Sequence, residues 1–465
     1  MKKVFVFCIG GTGIRVMKSV TMLMAGGMST NGYTVIPIIL DPHLDLEEKK
    51  NLHSLIDSYE EIYNRSVNNG SSTLNHLDGF FSSEIKTLAE LCNQTNDTQQ
   101  NAGKEEKFSS YIGRDNLGAE DVNNYLVETL FSTKNLNNSL SVGFKGNPNV
   151  GTVVLGDMIE GATWFKDFKY QCEKDDRVFI ISSIFGGTGA SGYPLLEKKI
   201  RFADNEPAVK NALMGAVTVL PYYGLKDPAT TGSDIDSANF CTKTKAALAY
   251  YDGTVKSDYL YYIGEKNLKQ IYDNDEKKQD DKANFIELVA ASALFDFLKR
   301  EKPDTLQYMT RAIEDDKESV DLTSLGTGYR DIVKSVADYM LLRQFVQSLP
   351  SEKFFPLIKN RGWNDDFYKD VAFQSLERFT EVYYQWYSEL AQNKRAFAPL
   401  HYDNAKNMSG WIKGLKLDAK DDSYYLLSMI KASNNYKKND HSNKFRFFLK
   451  FAYDAIDKYT NKIFR

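Results

Sequence analysis

Two short segments of this sequence have the residue types that bind phosphate. The first (GGTG, residues 10–13) follows the apolar residues 4–9, and the second (FGGTGASG, residues 185–192) follows the apolar residues 177–184. A helix that begins at such a segment has unpaired backbone N–H groups and a partial positive charge, so anions bind there. Glycine lets the main chain approach phosphate oxygens, and hydroxyl groups add donors. We therefore predict that phosphate is bound by Gly10, Gly11, Thr12, Gly13, Gly186, Gly187, Thr188, Gly189, Ala190 and Ser191.

The spacing of the glycines excludes one common nucleotide motif and leaves another open. Neither segment is a Walker A loop, because no Gly-Lys-Ser/Thr follows at the required distance. In the first segment Gly11 and Gly13 fit the dinucleotide pattern GxGxxG, but its last position is Val16. Asp41 ends the next apolar run, where a Rossmann dehydrogenase has the acid that binds the ribose of NAD. An NAD-binding Rossmann oxidoreductase is therefore one alternative, although it leaves the second glycine segment unexplained.

A third segment, residues 140–151 (LSVGFKGNPNVG), lies between the two glycine segments. It resembles the loop GxGxNPxxG of FtsZ, the bacterial cell-division relative of tubulin, although Lys145 replaces its second glycine and Gly146 comes one residue late. Residues 177–192 (RVFIISSIFGGTGASG) resemble the tubulin/FtsZ signature loop behind its strand. The ordered set of three segments resembles the tubulin/FtsZ superfamily, and within it the broad group of prokaryotic tubulin-like proteins. The residues of the third segment that match the pattern are Gly143, Asn147, Pro148 and Gly151.

The resemblance implies an α/β fold with a Rossmann-type nucleotide domain and a mostly parallel sheet. It also implies that GTP or GDP is bound with Mg²⁺, and that Gly146 and Asn147 contact the phosphates. Asn239 and Asn284 match asparagines that contact the guanine base or the ribose in tubulins, although each is also placed to cap a helix. Asp41 matches a loop near the metal, and an Asp-Pro turn accounts for it equally well.

Some positions depart from the family pattern. Phe185 and Ser191 replace glycines of the signature loop, and Arg15 is expected at the surface, with contact to a phosphate as the alternative. Tubulins and FtsZ hydrolyse GTP only when a neighbouring subunit inserts an acidic NxDxxD-like loop that follows the central helix. Residues 301–304 (EKPD) and 314–316 (EDD) do not reproduce that pattern, and a solvated charge run explains them more simply. Binding of GTP and head-to-tail polymerisation are therefore expected, with GTPase activity less well supported and its catalytic residues unassigned.

Apolar periodicity places these segments on predicted elements. Residues 152–155 fit either a strand or a helix start, and residues 93–103 have too few apolar side chains to bury. We divide the chain into a nucleotide-binding domain at 1–300, with an insertion at about 44–140, and a largely helical C-terminal domain at 301–465. Strands are predicted at 4–9, 34–40, 177–184, 214–221 and 258–263, and helices at 14–24, 46–65, 82–92, 120–131, 237–250, 285–300, 329–349 and 371–390.

The composition excludes several classes of function. The net charge is −4, so direct binding of nucleic acid is not expected. Four scattered cysteines without a CxxC pair, together with five histidines, argue against a zinc site or a disulfide framework. No apolar run reaches the length of about 18 residues that a membrane span needs, which predicts a cytoplasmic protein without membrane insertion. A second alternative function is a nucleotide-locked scaffold that binds a partner protein through the helical C-terminal domain.

Overall fold

The fold is built on a six-stranded parallel sheet. The computed structural model describes residues 1–43, 47–67, 79–94, 106–118, 120–225, 239–265, 270–272, 274–275, 278–279, 282–313, 319–320, 330–348, 363, 365–399 and 443–463. Within these residues the six strands are β1 (Lys2–Ile9), β2 (Tyr33–Leu40), β3 (Arg177–Ser183), β4 (Leu213–Val219), β6 (Tyr259–Glu265) and β10 (Gln307–Ile313). Their order in the sheet is β10-β6-β4-β3-β1-β2, and every neighbouring pair is parallel, which confirms the predicted α/β class.

Short strands and helices make up the other described elements. The short strands are β5 (Tyr223–Leu225), β7 (Gln270–Tyr272), β8 (Asn274–Asp275), β9 (Lys278–Gln279), β11 (Ser319–Val320) and β12 (Ala396–Phe397). The helices are α1 (Gly10–Ala25), α2 (Glu47–Ser66), α3 (Leu88–Leu91), α4 (Phe108–Tyr111), α5 (Val122–Leu130), α6 (Thr133–Leu136), α7 (Pro148–Glu160), α8 (Thr163–Gln171), α9 (Gly187–Arg201), α10 (Pro207–Lys210), α11 (Phe240–Thr254), α12 (Phe285–Phe297), α13 (Arg330–Ser348), α14 (Asp365–Tyr368), α15 (Val371–Gln392) and α16 (Lys444–Ile463), with 3₁₀ turns at Arg114–Asn116 and Leu140–Val142.

Side chains of the central strands alternate between two hydrophobic cores. On β1, Val4 and Val6 face the first core, whereas Phe5 and Phe7 face the second. This period of two is the geometry of an extended strand, and strands buried on both faces are apolar throughout. Helices α1, α2 and α12 cover the first face, and α7, α8, α9 and α11 contribute to the second. The result is a three-layer arrangement with the sheet in the middle.

The C-terminal helices extend the first core. Tyr339 of α13 stacks on Tyr383 of α15 at 3.9 Å between ring centroids, and Phe345 of α13 stacks on Phe448 of α16 at 5.6 Å. The buried aromatic residues of α15 are therefore packing residues of the first core: Phe373, Phe379, Tyr383, Trp386 and Tyr387. Residues 152–155 belong to α7, not to a strand. The segment predicted as a largely helical C-terminal domain, residues 301–465, also contributes a strand to the sheet, since β10 pairs with β6.

The order of the strands creates a topological switch point between β1 and β3. The chain leaves β1 through α1 to form β2 on one side, and later returns to form β3 on the other side. α1 and α9 begin at this point on opposite faces, since Met17 belongs to the first core and Leu196 to the second. Open parallel sheets bind ligands at the carboxyl ends of their strands beside such a switch point. The predicted phosphate segments therefore lie at the position that the fold favours for a ligand.

Candidate functional site

Two helix N-termini meet at the switch point. α1 begins at Gly10, directly after β1, and α9 begins at Gly187, shortly after β3. Among the described residues no N-cap side chain bonds to the first N–H groups of either helix. The two starts are in contact, because a Cβ placed on Gly10 would lie 3.4 Å from the Cβ of Thr188. Backbone donors and two partial positive charges therefore converge at the carboxyl edge of the sheet.

The loop at residues 143–147 lies over the start of α9. Lys145 and Gly146 both have positive φ angles, 45° and 72°, a conformation found in main-chain concavities that bind anions. A Cβ placed on Gly187 would lie 2.9 Å from the Cβ of Phe144 and 3.0 Å from the backbone nitrogen of Asn147. Position 187 therefore has to be glycine for the loop and the helix to approach this closely.

A lysine from a distant helix holds this loop. Lys243 of α11 donates from Nζ to the carbonyl oxygen of Gly146 at 2.7 Å. Within the loop, the amide of Asn147 donates to the carbonyl oxygens of Phe144 at 3.0 Å and Lys145 at 3.2 Å. An ammonium group beside a helix N-terminus adds a full positive charge to an anion site. Lys243 was missed by sequence reasoning because it lies 97 residues from Gly146 and belongs to no local motif.

The last glycine of each GGTG segment packs against the strand before it. A Cβ placed on Gly13 would lie 2.7 Å from the carbonyl carbon of Cys8, and one placed on Gly189 would lie 2.7 Å from the backbone nitrogen of Ser183. Gly192 has a related role, since a Cβ there would lie 2.7 Å from the side chain of Ile9. These glycines allow close packing of helix on strand, whereas Gly10 and Thr188 lie at the junction of the two helices.

The predicted hydroxyl donors have different surroundings. Thr188 is half-buried at the start of α9, whereas Thr12 is buried. Ser191 is also buried, and its Oγ donates to the carbonyl oxygen of Gly187 at 2.7 Å within the helix. Thr188 is therefore the hydroxyl that is best placed to meet a ligand. Of the remaining predicted positions, Gly11 and Gly186 are partly exposed, and Ala190 is buried.

Arg15 is buried, so the expectation of a surface position is wrong. Its Nε donates to Oε1 of Glu287 at 2.8 Å, and its Nη1 lies 3.3 Å from Oε1 of Glu48. Nη2 donates to the hydroxyl of Tyr222 at 3.1 Å and lies 3.4 Å from Oγ1 of Thr12. Burial of the guanidinium group is possible because two carboxylates neutralise it and further polar groups bond to it.

The two asparagines predicted to contact the base lie in different environments. Asn284 is buried and caps α12: its side chain accepts from the N–H of Ile286 at 2.9 Å, and Glu287 completes the capping box. Asn284 therefore has the capping role that the sequence predicts as the alternative to contact with the nucleotide. Asn239 is exposed at the start of α11, four residues before Lys243 and therefore on the same side of that helix.

Asp41 follows β2 and is the predicted metal ligand. It is buried, and its Oδ1 accepts the N–H of His43 at 2.8 Å. Burial raises the pKa of this carboxyl group, while the hydrogen bond and the charges of His43, Lys49 and Arg15 oppose that effect. Within the part of the chain that the structure describes, no cluster of three or more His, Cys, Asp or Glu is placed to hold a metal. Magnesium bound to a nucleotide needs only one or two carboxylates, so a single buried aspartate fits this chemistry.

The acidic residues after α12 lie at the opposite edge of the sheet. The hydroxyl of Tyr259, at the start of β6, donates to the carbonyl oxygen of Glu301 at 2.7 Å, and β10 begins shortly after Asp304. Both acids are exposed. They are therefore at the amino ends of the strands, whereas the glycine segments are at the carboxyl ends. Residues 314–316, the other acidic segment, lie outside the described residues.

The described helices include none that is long and apolar enough to cross a membrane. No model of a known protein family matches the chain. A search of curated protein sequences likewise gives no significant match. The geometry at the switch point is therefore the basis on which a function is assigned.

Proposed function

We propose that the protein binds GTP or GDP, with Mg²⁺, where residues 10–13, 143–147 and 186–189 meet. The observation that carries this proposal is the contact between two helix N-termini, both without a side-chain cap, at the switch point of a parallel sheet. One such N-terminus is common in proteins, and its N–H groups are often satisfied by water. Two helix N-termini that converge beneath the loop at residues 143–147 provide more N–H donors than a single small anion needs.

The chemistry of the junction suits a nucleoside di- or triphosphate. Backbone N–H groups of α1 and α9 are the proposed donors to the phosphate oxygens, and Lys243 is the nearby cation. Asp41 is the proposed protein ligand of Mg²⁺, which neutralises phosphate charge when it is bound. Asn239 provides an amide beside Lys243, and an amide can both donate to and accept from guanine. The choice of guanine over adenine rests on the resemblance to tubulin-like proteins.

The acidic residues after α12 and the glycine segments lie at opposite ends of the strands, and this affects how GTP would be hydrolysed. Glu301 and Asp304 lie at the amino edge of the sheet, so they cannot reach phosphate bound within the same subunit. Head-to-tail stacking of two copies would bring the amino edge of one towards the carboxyl edge of the next. We therefore propose nucleotide binding by the monomer and self-association as the route to any GTPase activity. A chain that scatters no additional light with GTP would favour the scaffold alternative.

Titration of the nucleotide-free chain with GTP and Mg²⁺ tests this proposal. Thr188→Glu places a carboxylate at the start of α9, where it stabilises the helix but repels phosphate. We expect it to weaken GTP binding by at least about 100-fold, the cost of roughly two charge-assisted hydrogen bonds. Thr129→Glu, on the exposed surface of α5, is the matched control and should bind as wild type does. Equal affinity of the two variants would contradict the proposed site.

A further inference from the structure

Arg15 is the centre of a buried polar cluster formed by four separate parts of the chain. Its partners are Thr12 of the first glycine segment, Glu48 of the first turn of α2, Tyr222 after β4, and Glu287 of the first turn of α12. Tyr222 also donates to Oε1 of Glu287 at 2.6 Å. We call these five residues the Arg15 cluster.

The members of the cluster connect the segments that the proposed site depends on. Thr12 lies in the first phosphate segment, and α2 begins at Glu47, shortly after the proposed metal ligand Asp41. Oε2 of Glu287 accepts the backbone N–H of Asn284 at 3.0 Å, so the same carboxylate also fixes the start of α12. Arg15 therefore contacts both the first glycine segment, through Thr12, and the first turn of α2, through Glu48.

The chemistry of the cluster requires arginine. Each nitrogen of the Arg15 guanidinium group contacts a different partner. Nε contacts Glu287, Nη1 contacts Glu48, and Nη2 contacts Tyr222. A planar guanidinium group provides donors in this fixed fork, whereas lysine provides one compact charge and cannot span all three partners. A buried ion pair contributes little to stability compared with apolar packing of the same volume. The retention of charge at this place is better explained by a need to fix the relative positions of its neighbours.

We propose that Arg15 is a positioning residue that couples Asp41, the proposed ligand of Mg²⁺, to the first glycine segment. As a result, Mg²⁺ and the nucleotide bind cooperatively. This inference rests on the proposed function. Arg15 acts through Thr12 and Glu48 and does not itself touch the phosphates. Its removal is expected to weaken the link between the two ligands more than it weakens either one alone.

The test compares the Kd of GTP for the full chain with excess Mg²⁺ and with EDTA. For the wild type we expect tighter binding with Mg²⁺ by about 5- to 150-fold, the usual range for coupled sites. Arg15→Lys should reduce this ratio to about twofold, because the fork geometry is lost while the charge remains. Arg395→Lys is the matched control: it changes another buried arginine, paired with the equally buried Glu265, and should keep the wild-type ratio.

The outcomes distinguish this inference from the proposed function. An Arg15→Lys protein with native circular dichroism and an unchanged ratio would overturn the coupling role. If that variant does not fold, Glu48→Ala provides the same test, since it removes the carboxylate by which α2 contacts Arg15; an unchanged ratio there would also overturn it. A wild-type chain that binds GTP equally well with Mg²⁺ and with EDTA contradicts the coupling and the proposed role of Asp41, but not nucleotide binding at the junction. A wild-type chain that binds GTP under neither condition contradicts the proposed function itself.

Discussion

The two GGTG segments have the same four residues but different electrostatic surroundings. In the first, Thr12 is buried beside Arg15, whose charge is neutralised by Glu48 and Glu287. In the second, Thr188 is half-buried, the loop at residues 143–147 covers the helix start, and Lys243 adds a positive charge. Both segments lead from a strand into a helix, but α1 begins at the first glycine of its segment and α9 at the second, and the neighbouring charged groups also differ.

Because of this difference, we expect the two segments to have different functions. In the second segment Lys243 brings an ammonium group to the loop that covers the start of α9, so we expect this segment to contribute most of the phosphate affinity. The first segment is anchored to α2 and α12 through the Arg15 cluster, so we expect it to link phosphate to the metal. Only the last glycine of each segment has the same role in both, which is close packing against its own strand.

The largest expected effect concerns that shared packing role. Gly13→Ala and Gly189→Ala each place a Cβ within 2.7 Å of backbone atoms of the preceding strand, which cannot move without disturbing the sheet. Each should lower the free energy of unfolding by about 2–3 kcal/mol, as overpacked positions do. Urea denaturation measures this change. Gly156→Ala in α7, where a new Cβ meets nothing within 4 Å, is the control and should instead stabilise the protein by about 0.4–1 kcal/mol. A stable Gly189→Ala protein would show that the second segment is not packed as described.

The next effect concerns the charge that distinguishes the second segment. Lys243→Ala removes the ammonium group beside Gly146, and GTP affinity should fall by about tenfold, the equivalent of one charge-assisted hydrogen bond. Lys245→Ala removes an exposed lysine of the same helix and should leave the affinity unchanged. Isothermal titration calorimetry of both variants provides the comparison. Similar affinities would mean that only the overall charge of α11 matters, and that Lys243 has no specific place in the site.

The smallest effect concerns the two threonines. Thr188→Val removes a partly exposed hydroxyl from the proposed phosphate contacts and should weaken GTP binding by about threefold, with little change in stability. Thr12→Val removes a buried hydroxyl near Arg15 and should lower the melting temperature while changing affinity less. Measuring Kd and melting temperature for both variants separates the two tasks. If Thr12→Val instead weakened GTP binding and Thr188→Val lowered the melting temperature, the roles proposed for the two segments would be reversed.

The central strands and long helices could be predicted from the sequence because their patterns are local. β1, β2 and β3 lie within two residues of the predicted runs, since buried apolar stretches end at glycine or Asp-Pro turns. The predicted helix at 82–92 is reduced to Leu88–Leu91 for a tertiary reason. Val35 of β2 accepts the N–H of Lys86 and donates to the carbonyl oxygen of Glu84, so residues 84–86 pair with the sheet edge instead of forming a helix.

The contacts of Arg15 and Lys243 could not be predicted because most of the groups that they contact are distant in sequence. The two carboxylates that pair with Arg15 lie 33 and 272 positions away in the sequence, whereas Thr12 lies three positions away and does not indicate that Arg15 is buried. Lys243 is equally remote from the loop that it holds. The glycine segments could be predicted because close backbone approach restricts the residue type, whereas Asn147 was predicted from the resemblance to the FtsZ loop. The contacts of these charged side chains depend on the tertiary structure, which short spacing patterns in the sequence do not reveal.

The central claim is that the junction at the switch point holds a guanine nucleotide. The most direct measurement is mass spectrometry of the nucleotide released when purified wild-type protein is denatured, with Thr188→Glu and Thr129→Glu treated in parallel. We predict GTP or GDP from the wild type and from Thr129→Glu, and a large loss from Thr188→Glu. Recovery of NAD, or an equal amount of guanine nucleotide from all three proteins, would contradict the account.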